Sequence, residues 1–528
     1  MAKALKNRAS KQAYISPRQM SIVGFDSPFS KNLNATNRWV TLAQKIPWDT
    51  LAKIYQMQMH NGSFGADGIN PRVAIGAIII KHLCDLSDRE TIQQIQENMY
   101  MQYFIGYSSF SDEEPFDPSL FVDLRKRLGI EQINRINEEI MGIYNHRTTK
   151  EPDVSTERDK SNDNKQDDDG AIPHADTMAE TKPTAQPLPN QGQLIVDATA
   201  CPQDVSYPTD LNLLNDAREK SEEIIDKLCT FSRHSVKPRT YREVARKTYL
   251  KTAQKKHKSK KEIRSALRKQ LAYLKRNIRS IYRLLDDIGS IPLDKHQYKY
   301  LLVIQTLYAQ QQEMYKERKH SVEYRIVSIH QPHVRPIVRG KSNASVEFGA
   351  KIQVSLMNGI AFLDEFSWEA FNEGTTLMNS VEKYKQRFGY YPKSVLADKI
   401  YSNRENRAKL KLRHIELRAK PLGRPKKAVE AHVSPGERNP IEGKFGQAKT
   451  AYGLNRIKAR LNQTSESWIA SIILVLNLVK LAGQVPFYLL QLCADFFSKL
   501  HRFILDERSK KQYKNIFLYT ATYSADPN

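Results

Sequence analysis

The chain has 528 residues, of which 40% are hydrophobic, enough to bury more than one core, so two or three domains are expected. Its 82 lysines and arginines outnumber 58 aspartates and glutamates, and a net charge of +24 argues against a catalyst of small neutral molecules and for a polyanionic partner. Cys84, Cys201, Cys229 and Cys493 form no CxxC pair, which leaves no disulfide framework or cysteine zinc site and suggests a reducing, cytoplasmic setting.

The basic start, MAKALKNRASKQAY, leads into no apolar run of the secretory kind. Asn70-Pro71 supplies an N-cap and a proline at the first helical position, ahead of apolar residues at helical spacing, and predicts a helix from Pro71 to Leu86. Ser87 and Glu90 have capping-box spacing before Ile92, Ile95 and Met99, and Asp117-Pro118 opens another helical pattern through Leu128. Residues 1–150 therefore read as an all-α domain, compatible with a helix-turn-helix and equally with an ordinary bundle. Residues 151–190 begin with eight acids against three bases in twenty positions and end rich in proline, which reads as an acidic, disordered linker.

After the linker the periodicity changes. Leu194-Ile195-Val196 is a short β run ending in Asp197, and Phe348 to Leu356 alternates and turns at Asn358-Gly359 into Ile360 to Trp368, a hairpin pattern. A helix from about Thr375 to Phe388 and a further apolar run, Ser394 to Ala397, lead to Asp398. The order strand, hairpin, helix, strand predicts a mixed α/β domain over 191–483. An insertion at about 208–320 interrupts it and reads as long helices. Between Arg233 and Arg283 this insertion holds nineteen lysines and arginines against Glu243 and Glu262, a run whose length and lack of compensation favour a phosphate-tracking surface over the alternative, a solvated helix face. Lys255, Lys256, Lys258, Lys260 and Lys261 are its densest part. A smaller basic stretch runs from Arg404 to Lys427 and includes Gly423-Arg424-Pro425-Lys426-Lys427. The apolar run Ile469 to Ala482 is too short for a bilayer and contains Asn477 and Lys480, so it reads as a buried helix, followed by a helical tail over 484–528.

Asp197 and Asp398 both end apolar strands, where ligands of α/β sheets bind. Each could equally be a turn former or cap. If the strands are neighbours, the two carboxylates need a cation between them, and hard oxygen donors suit Mg²⁺ or Mn²⁺. Glu442 in ERNPIEGKFGQAK has the position of a capping-box glutamate beside Asn439 and Pro440. Against that reading, Arg438, Glu442 and Lys449 space out Arg, three residues, Glu, six residues, Lys, with the last two on one helix face. A carboxylate with Arg and Lys beside it is a phosphoryl-transfer arrangement.

With these residues in view, the chain resembles the DDE transposases of bacterial insertion sequences, in the superfamily joining the IS-four and IS-five groups. The resemblance is carried by LIVDATACPQDVSYPTDLNLLNDAREK around Asp197, by VLADKIYSNREN and LGRPKK around and after Asp398, and by RNPIEGKFGQAKTAYGLNRIKARL around Glu442. It implies an RNase H-like catalytic core with Asp197, Asp398 and Glu442 as the three acids. It also implies that Arg438 and Lys449 fill two places of a Tyr-Arg-Glu-Lys signature whose tyrosine place is Pro435 here. NPRVAIGAIIIKHLCDLSDRETIQQIQENMYMQYFIGY is similar to the helical domain that precedes such cores, which implies terminal-repeat binding.

The expected activity is metal-dependent cleavage at element ends and strand transfer into target DNA. Two Mg²⁺ or Mn²⁺ ions would be held by the three carboxylates, in a homodimer assembled on double-stranded DNA. Lys399, Lys255, Lys256, Lys260 and Lys261 are candidate phosphate contacts beside Arg438 and Lys449. Alternatives from other classes are a nuclease that does not join ends and a non-catalytic DNA-binding descendant. His330 and His333, spaced HxxH in an extended stretch, are not expected to share a metal, and Trp368 reads as core with base stacking as the alternative.

Overall fold

The computed structural model describes residues 29, 33–57, 69–148, 189–232, 236–341, 344–419 and 435–483. The expected tail over 484–528, all but the last two residues of the expected linker, the Gly423 to Lys427 run and Cys493 lie outside the described residues.

The N-terminal part is helical: α1 (Arg38–Lys45), α2 (Trp48–Gln56), α3 (Pro71–Leu83), α4 (Asp88–Glu97), α5 (Met99–Phe104), α6 (Leu120–Arg127) and α7 (Ile130–Thr148). Asn70 caps α3 by accepting the Arg72 N–H at 2.9 Å, with Pro71 following as the spacing predicts. α3 is apolar all round, and from Val73 to His82 every residue is buried, as expected of a helix enclosed by others. It ends at Leu83, three residues short of the predicted Leu86. The capping box of α4 forms as read: Ser87 Oγ accepts from Glu90 N at 3.2 Å and Glu90 Oε2 from Ser87 N at 2.8 Å.

The sheet has β1 (Gln193–Pro202), β2 (Arg335–Lys341), β3 (Ala344–Met357), β4 (Ile360–Ser367), β5 (Ser394–Leu396) and β6 (Glu416–Arg418). β3 lies antiparallel to β1, and its other edge pairs antiparallel with β2 along its first part and with β4 along its second. β5 joins the free side of β1 in parallel, and β6 follows β5 in parallel. The Asn358-Gly359 turn has both residues at positive φ, 48° and 77°, the conformation that a two-residue hairpin turn requires. Gly349 is needed for another reason: a Cβ there would collide with the Cys201 carbonyl of the paired strand. The fold is mixed α/β.

Between β1 and β2 stand α8 (Asp210–Cys229), α9 (Arg242–Ala253), α10 (Lys260–Ile288) and α11 (Lys295–Glu317). They bury Leu214, Ile225, Leu274, Ile281, Ile304 and Leu307 in a cluster of their own. The remaining helices are α12 (Glu373–Phe388), α13 (Arg404–Leu412), α14 (Asn439–Ala451) and α15 (Asn462–Gly483). α15 is long and apolar enough to cross a membrane by length and composition, yet most of that stretch is buried inside the protein. It packs on β4 and on α1, α3, α6 and α7, so that N-terminal helices, sheet and α15 share one continuous core. Asn477, a buried polar residue within it, is fully satisfied: its Oδ1 accepts from Ala361 N at 2.8 Å, and its amide donates to Ala361 O at 2.7 Å and Asn137 Oδ1 at 2.8 Å. Lys480 reaches the Asn358 carbonyl at the hairpin turn.

Candidate active site

The register of the parallel pair sets the first two acids. Ile195 of β1 is opposite Leu396 of β5, and two residues beyond each come Asp197 and Asp398, level with one another; Asp398 follows the carboxyl end of β5, whereas β1 runs on to Pro202 through its pairing with β3, so that Asp197 stands at mid-strand and not at the strand end that the sequence predicts. Asp398 also performs the bland role considered for it, since its Oδ1 accepts the Lys399 N–H at 2.7 Å and caps a 3₁₀ turn, Lys399–Tyr401. Asp197 Oδ1 accepts the Ala198 N–H at 2.9 Å.

The third acid comes from α14, with an outcome that differs from the capping-box reading. The helix starts at Asn439, not after it; Arg438 holds the cap position with no side-chain cap bond, and Pro440 falls second. Glu442 is thus left out of a capping box, and its carboxylate pairs instead with Arg438. That arginine is the centre of the cluster: its guanidinium lies 3.1 Å from Asp398, 3.5 Å from Asp197 and 3.7 Å from Glu442. The side chains are graded in exposure, Asp197 17%, Asp398 52% and Glu442 61%, so one wall of the site is buried and the other open.

Burial is the main reason that the Asp197 carboxyl is pushed up to about 6. The Ala198 N–H and Arg438 oppose the shift, while Glu373 and Asp398 add to it. Three carboxylates around one guanidinium are a net anionic site, and their hard oxygens suit Mg²⁺ or Mn²⁺ in chemistry. Among the described residues no three His, Cys, Asp or Glu side chains stand as a ready metal cage; here the guanidinium holds the middle.

Lys449 is half-buried two turns along α14 from Glu442, and Lys399 is exposed beside Asp398. Lys255, Lys256, Lys258, Lys260 and Lys261 are all exposed, at the turn from α9 to α10 and in the first turn of α10. Lys255 pairs with Glu262, whose carboxyl the pairing holds down at about 2. Along α10, Lys261, Arg264, Arg268, Lys275, Arg279 and Arg283 recur in steps compatible with one helix face, and all are exposed. That stripe is opposite the buried face of Ala266, Leu274 and Ile281.

Sequence reasoning missed two features. Glu373, at the start of α12, is a fourth carboxylate near Asp197, matched by Lys351 at 2.9 Å. Behind the acids, Gln353 of β3 is wholly buried. It donates to Ser380 Oγ at 2.8 Å and Thr376 O at 3.1 Å and accepts from Tyr401 Oη at 3.3 Å. A glutamine at an inward position of the alternating run KIQVSL was the signal available. Burial also drives the Tyr401 phenol far above its usual range. His330 reaches the Tyr300 hydroxyl at 2.7 Å while His333 stacks edge-on against Trp368, and Trp368 itself packs on the core with its Nε1 donating to Glu466.

Residues 395–479 match the model of a transposase DDE domain, a span that contains Asp398, Arg438, Glu442 and Lys449 but not Asp197. Residues 27–127, the N-terminal helices through α6, match the model of a transposase domain, DUF772. A curated relative described as an uncharacterized protein, ORF8 in the nfe locus of Rhizobium meliloti, is 34% identical over 101 residues. That alignment covers 18% of this chain and 46% of the relative, so it spans about half the relative's length. No solved structure matches.

Proposed function

We propose that this chain, which belongs with the DDE transposases by the two transposase domains it carries, cleaves DNA at the ends of an insertion sequence and transfers the freed strands into target DNA. The observation that carries the reading is the convergence of Asp197, Asp398 and Glu442 on one guanidinium, from the middle of β1, the end of the adjacent β5 and a facing helix. The sheet supports an RNase H-like core, with an antiparallel β1-β3-β4 set and two parallel strands on the far side of β1. The Arg438, Glu442 and Lys449 spacing supports placement in the IS-four and IS-five superfamily.

Enzymes of this family use divalent metal ions, and Asp197, Asp398 and Glu442 are the residues that would hold them. Bound there, two Mg²⁺ or Mn²⁺ ions would activate water or a 3′ hydroxyl and stabilise the leaving oxygen. The chain's own residues do the rest. The paired strands β1 and β5 fix Asp197 and Asp398 level with one another, so a scissile phosphate can approach from the exposed side formed by Asp398 and Glu442. Arg438 and Lys449 bind phosphate oxygens, the first through a planar fork suited to two contacts. The Gln353 network anchors Tyr401, and with it the turn that Asp398 caps. The exposed stripe on α10 and the lysines from Lys255 to Lys261 track a DNA backbone, and residues 1–150 hold the terminal repeat, in at least a dimer assembled on DNA.

A paired assay on one labelled duplex carrying the element's end tests this: gel shift in EDTA, cleavage and joining in Mg²⁺. Asp398→Ala should lose cleavage and joining while its affinity in EDTA stays equal or rises, because removing a carboxylate near DNA lowers repulsion. Retained cleavage would remove Asp398 from the site, and wild-type cleavage without joining would make the chain a nuclease.

A further inference from the structure

We propose that Arg438 is the resident counter-cation of the carboxylate site, and that a DNA phosphate draws it aside and so eases the uptake of divalent ions, so that DNA and metal bind cooperatively. The inference rests on the reading of Asp197, Asp398 and Glu442 as metal-holding residues.

Arg438 spans all three carboxylates at 3.1 to 3.7 Å. Those distances place the guanidinium where an ion would have to sit to reach the same oxygens, since hard divalent ions coordinate at about 2.0–2.2 Å. The nearby Glu373 is already matched by Lys351, so the described ion pairs give Arg438 to the three acids of the site. A guanidinium and a divalent ion cannot share the middle, because like charges that close repel strongly. Entry of metal therefore requires the arginine to leave.

A second observation shows where it would go. Arg438 Nε is buried with no hydrogen-bond partner among the described residues, although such donors are nearly always satisfied. The guanidinium has thus spent its two outer nitrogens on carboxylates and kept one donor unused. A phosphate can accept from two nitrogens of the fork at once, which makes it the stronger partner for the whole group. Phosphate and carboxylates then compete for one arginine. Whichever ligand arrives first frees the site of the other, and by linkage each raises the other's affinity by the same factor. Metal is then retained mainly when DNA is present, which would restrain metal-dependent cleavage by the free chain.

The test measures Mn²⁺ binding by the electron paramagnetic resonance of the free ion, on the full chain, with and without a short mixed-sequence duplex. Wild type should bind Mn²⁺ about tenfold more tightly with DNA than without. Arg438→Gln should already bind tightly without DNA and gain little from it. Arg438→Lys is the sharper variant, because it keeps the charge but cannot span three carboxylates; it should resemble Arg438→Gln. Unchanged or weaker Mn²⁺ binding by Arg438→Gln would overturn the proposal. So would a lysine variant that behaves as wild type while only the glutamine variant tightens, since charge rather than the spanning contact would then be responsible. Wild-type Mn²⁺ binding that Asp398→Ala does not alter would instead remove the metal-site reading itself, and this proposal with it.

Discussion

Asp197, Asp398 and Glu442 stand on elements rooted in the core that sheet, N-terminal helices and α15 share, whereas the basic run from Arg242 to Arg283 rides on helices with a separate core. In the first region a few charges sit on buried strands, and burial is the largest cause of the upward shift at Asp197. In the second many charges are exposed, and along α10 they are sorted to the side away from the core. Position governs the first region and number the second. A carboxylate fixed by a buried strand can place an ion to within a bond length; an exposed lysine contributes one more released counterion whatever its exact place.

Deleting single charges should separate the two regions most sharply. Loss of Asp197, Asp398 or Glu442 should each reduce cleavage by about 10³-fold or more, because several kcal/mol of transition-state stabilisation depend on the ions they hold. Glu442→Ala should cost little stability, since the helix start leaves Glu442 outside any capping box. No single lysine of the insertion should have an effect of that size. Reversing Lys255, Lys256, Lys260 and Lys261 together should weaken DNA binding by about 10²-fold at low salt and flatten the slope of log affinity against log salt. An unchanged slope would mean that this surface does not meet phosphate.

The separation of the two cores gives a smaller effect on stability. Asn477→Ala should cost about 2–4 kcal/mol, because Ala361 and Asn137 lose their buried partner. In calorimetry the transition of the shared core should move down while a transition belonging to the α8–α11 cluster stays in place. Coincident shifts would show that the two melt as one.

The smallest effect concerns pH. A carboxyl whose folded value is raised from 3.8 to about 6 binds its proton more tightly in the native state, so its contribution to stability is complete below about 4 and is lost as pH rises through about 6. In EDTA, Asp197→Asn should remove that dependence and gain about 2 kcal/mol at neutral pH relative to wild type. A parallel pH profile in urea denaturation would contradict it.

Much of this was legible because it is local. The hairpin at Asn358-Gly359, the caps at Asn70 and Ser87 and the strand end before Asp398 follow from residue type and short spacing, whereas β1 does not end at Asp197 as expected, because its pairing with β3 carries it on to Pro202. The bridging role of Arg438 is tertiary: its spacing to Glu442 and Lys449 marked it as a phosphate ligand, while its contacts to two strands forty and more residues apart from it could not be read. The capping-box reading of Glu442 failed on a shift of one residue, since Asn439 lies inside the helix and not at its cap. Gln353 hid in an apolar strand because its partners, Thr376, Ser380 and Tyr401, lie on other elements. The packing of N-terminal helices against β4 and α15 likewise depends on matching surfaces distant in sequence.

Anomalous diffraction from crystals of the chain with a DNA end and Mn²⁺ tests the central claim most directly. The account predicts manganese peaks between the carboxylates of Asp197, Asp398 and Glu442, with the Arg438 guanidinium moved from between them onto a phosphate. Manganese bound elsewhere, with Arg438 still spanning the three carboxylates beside bound DNA, would contradict it.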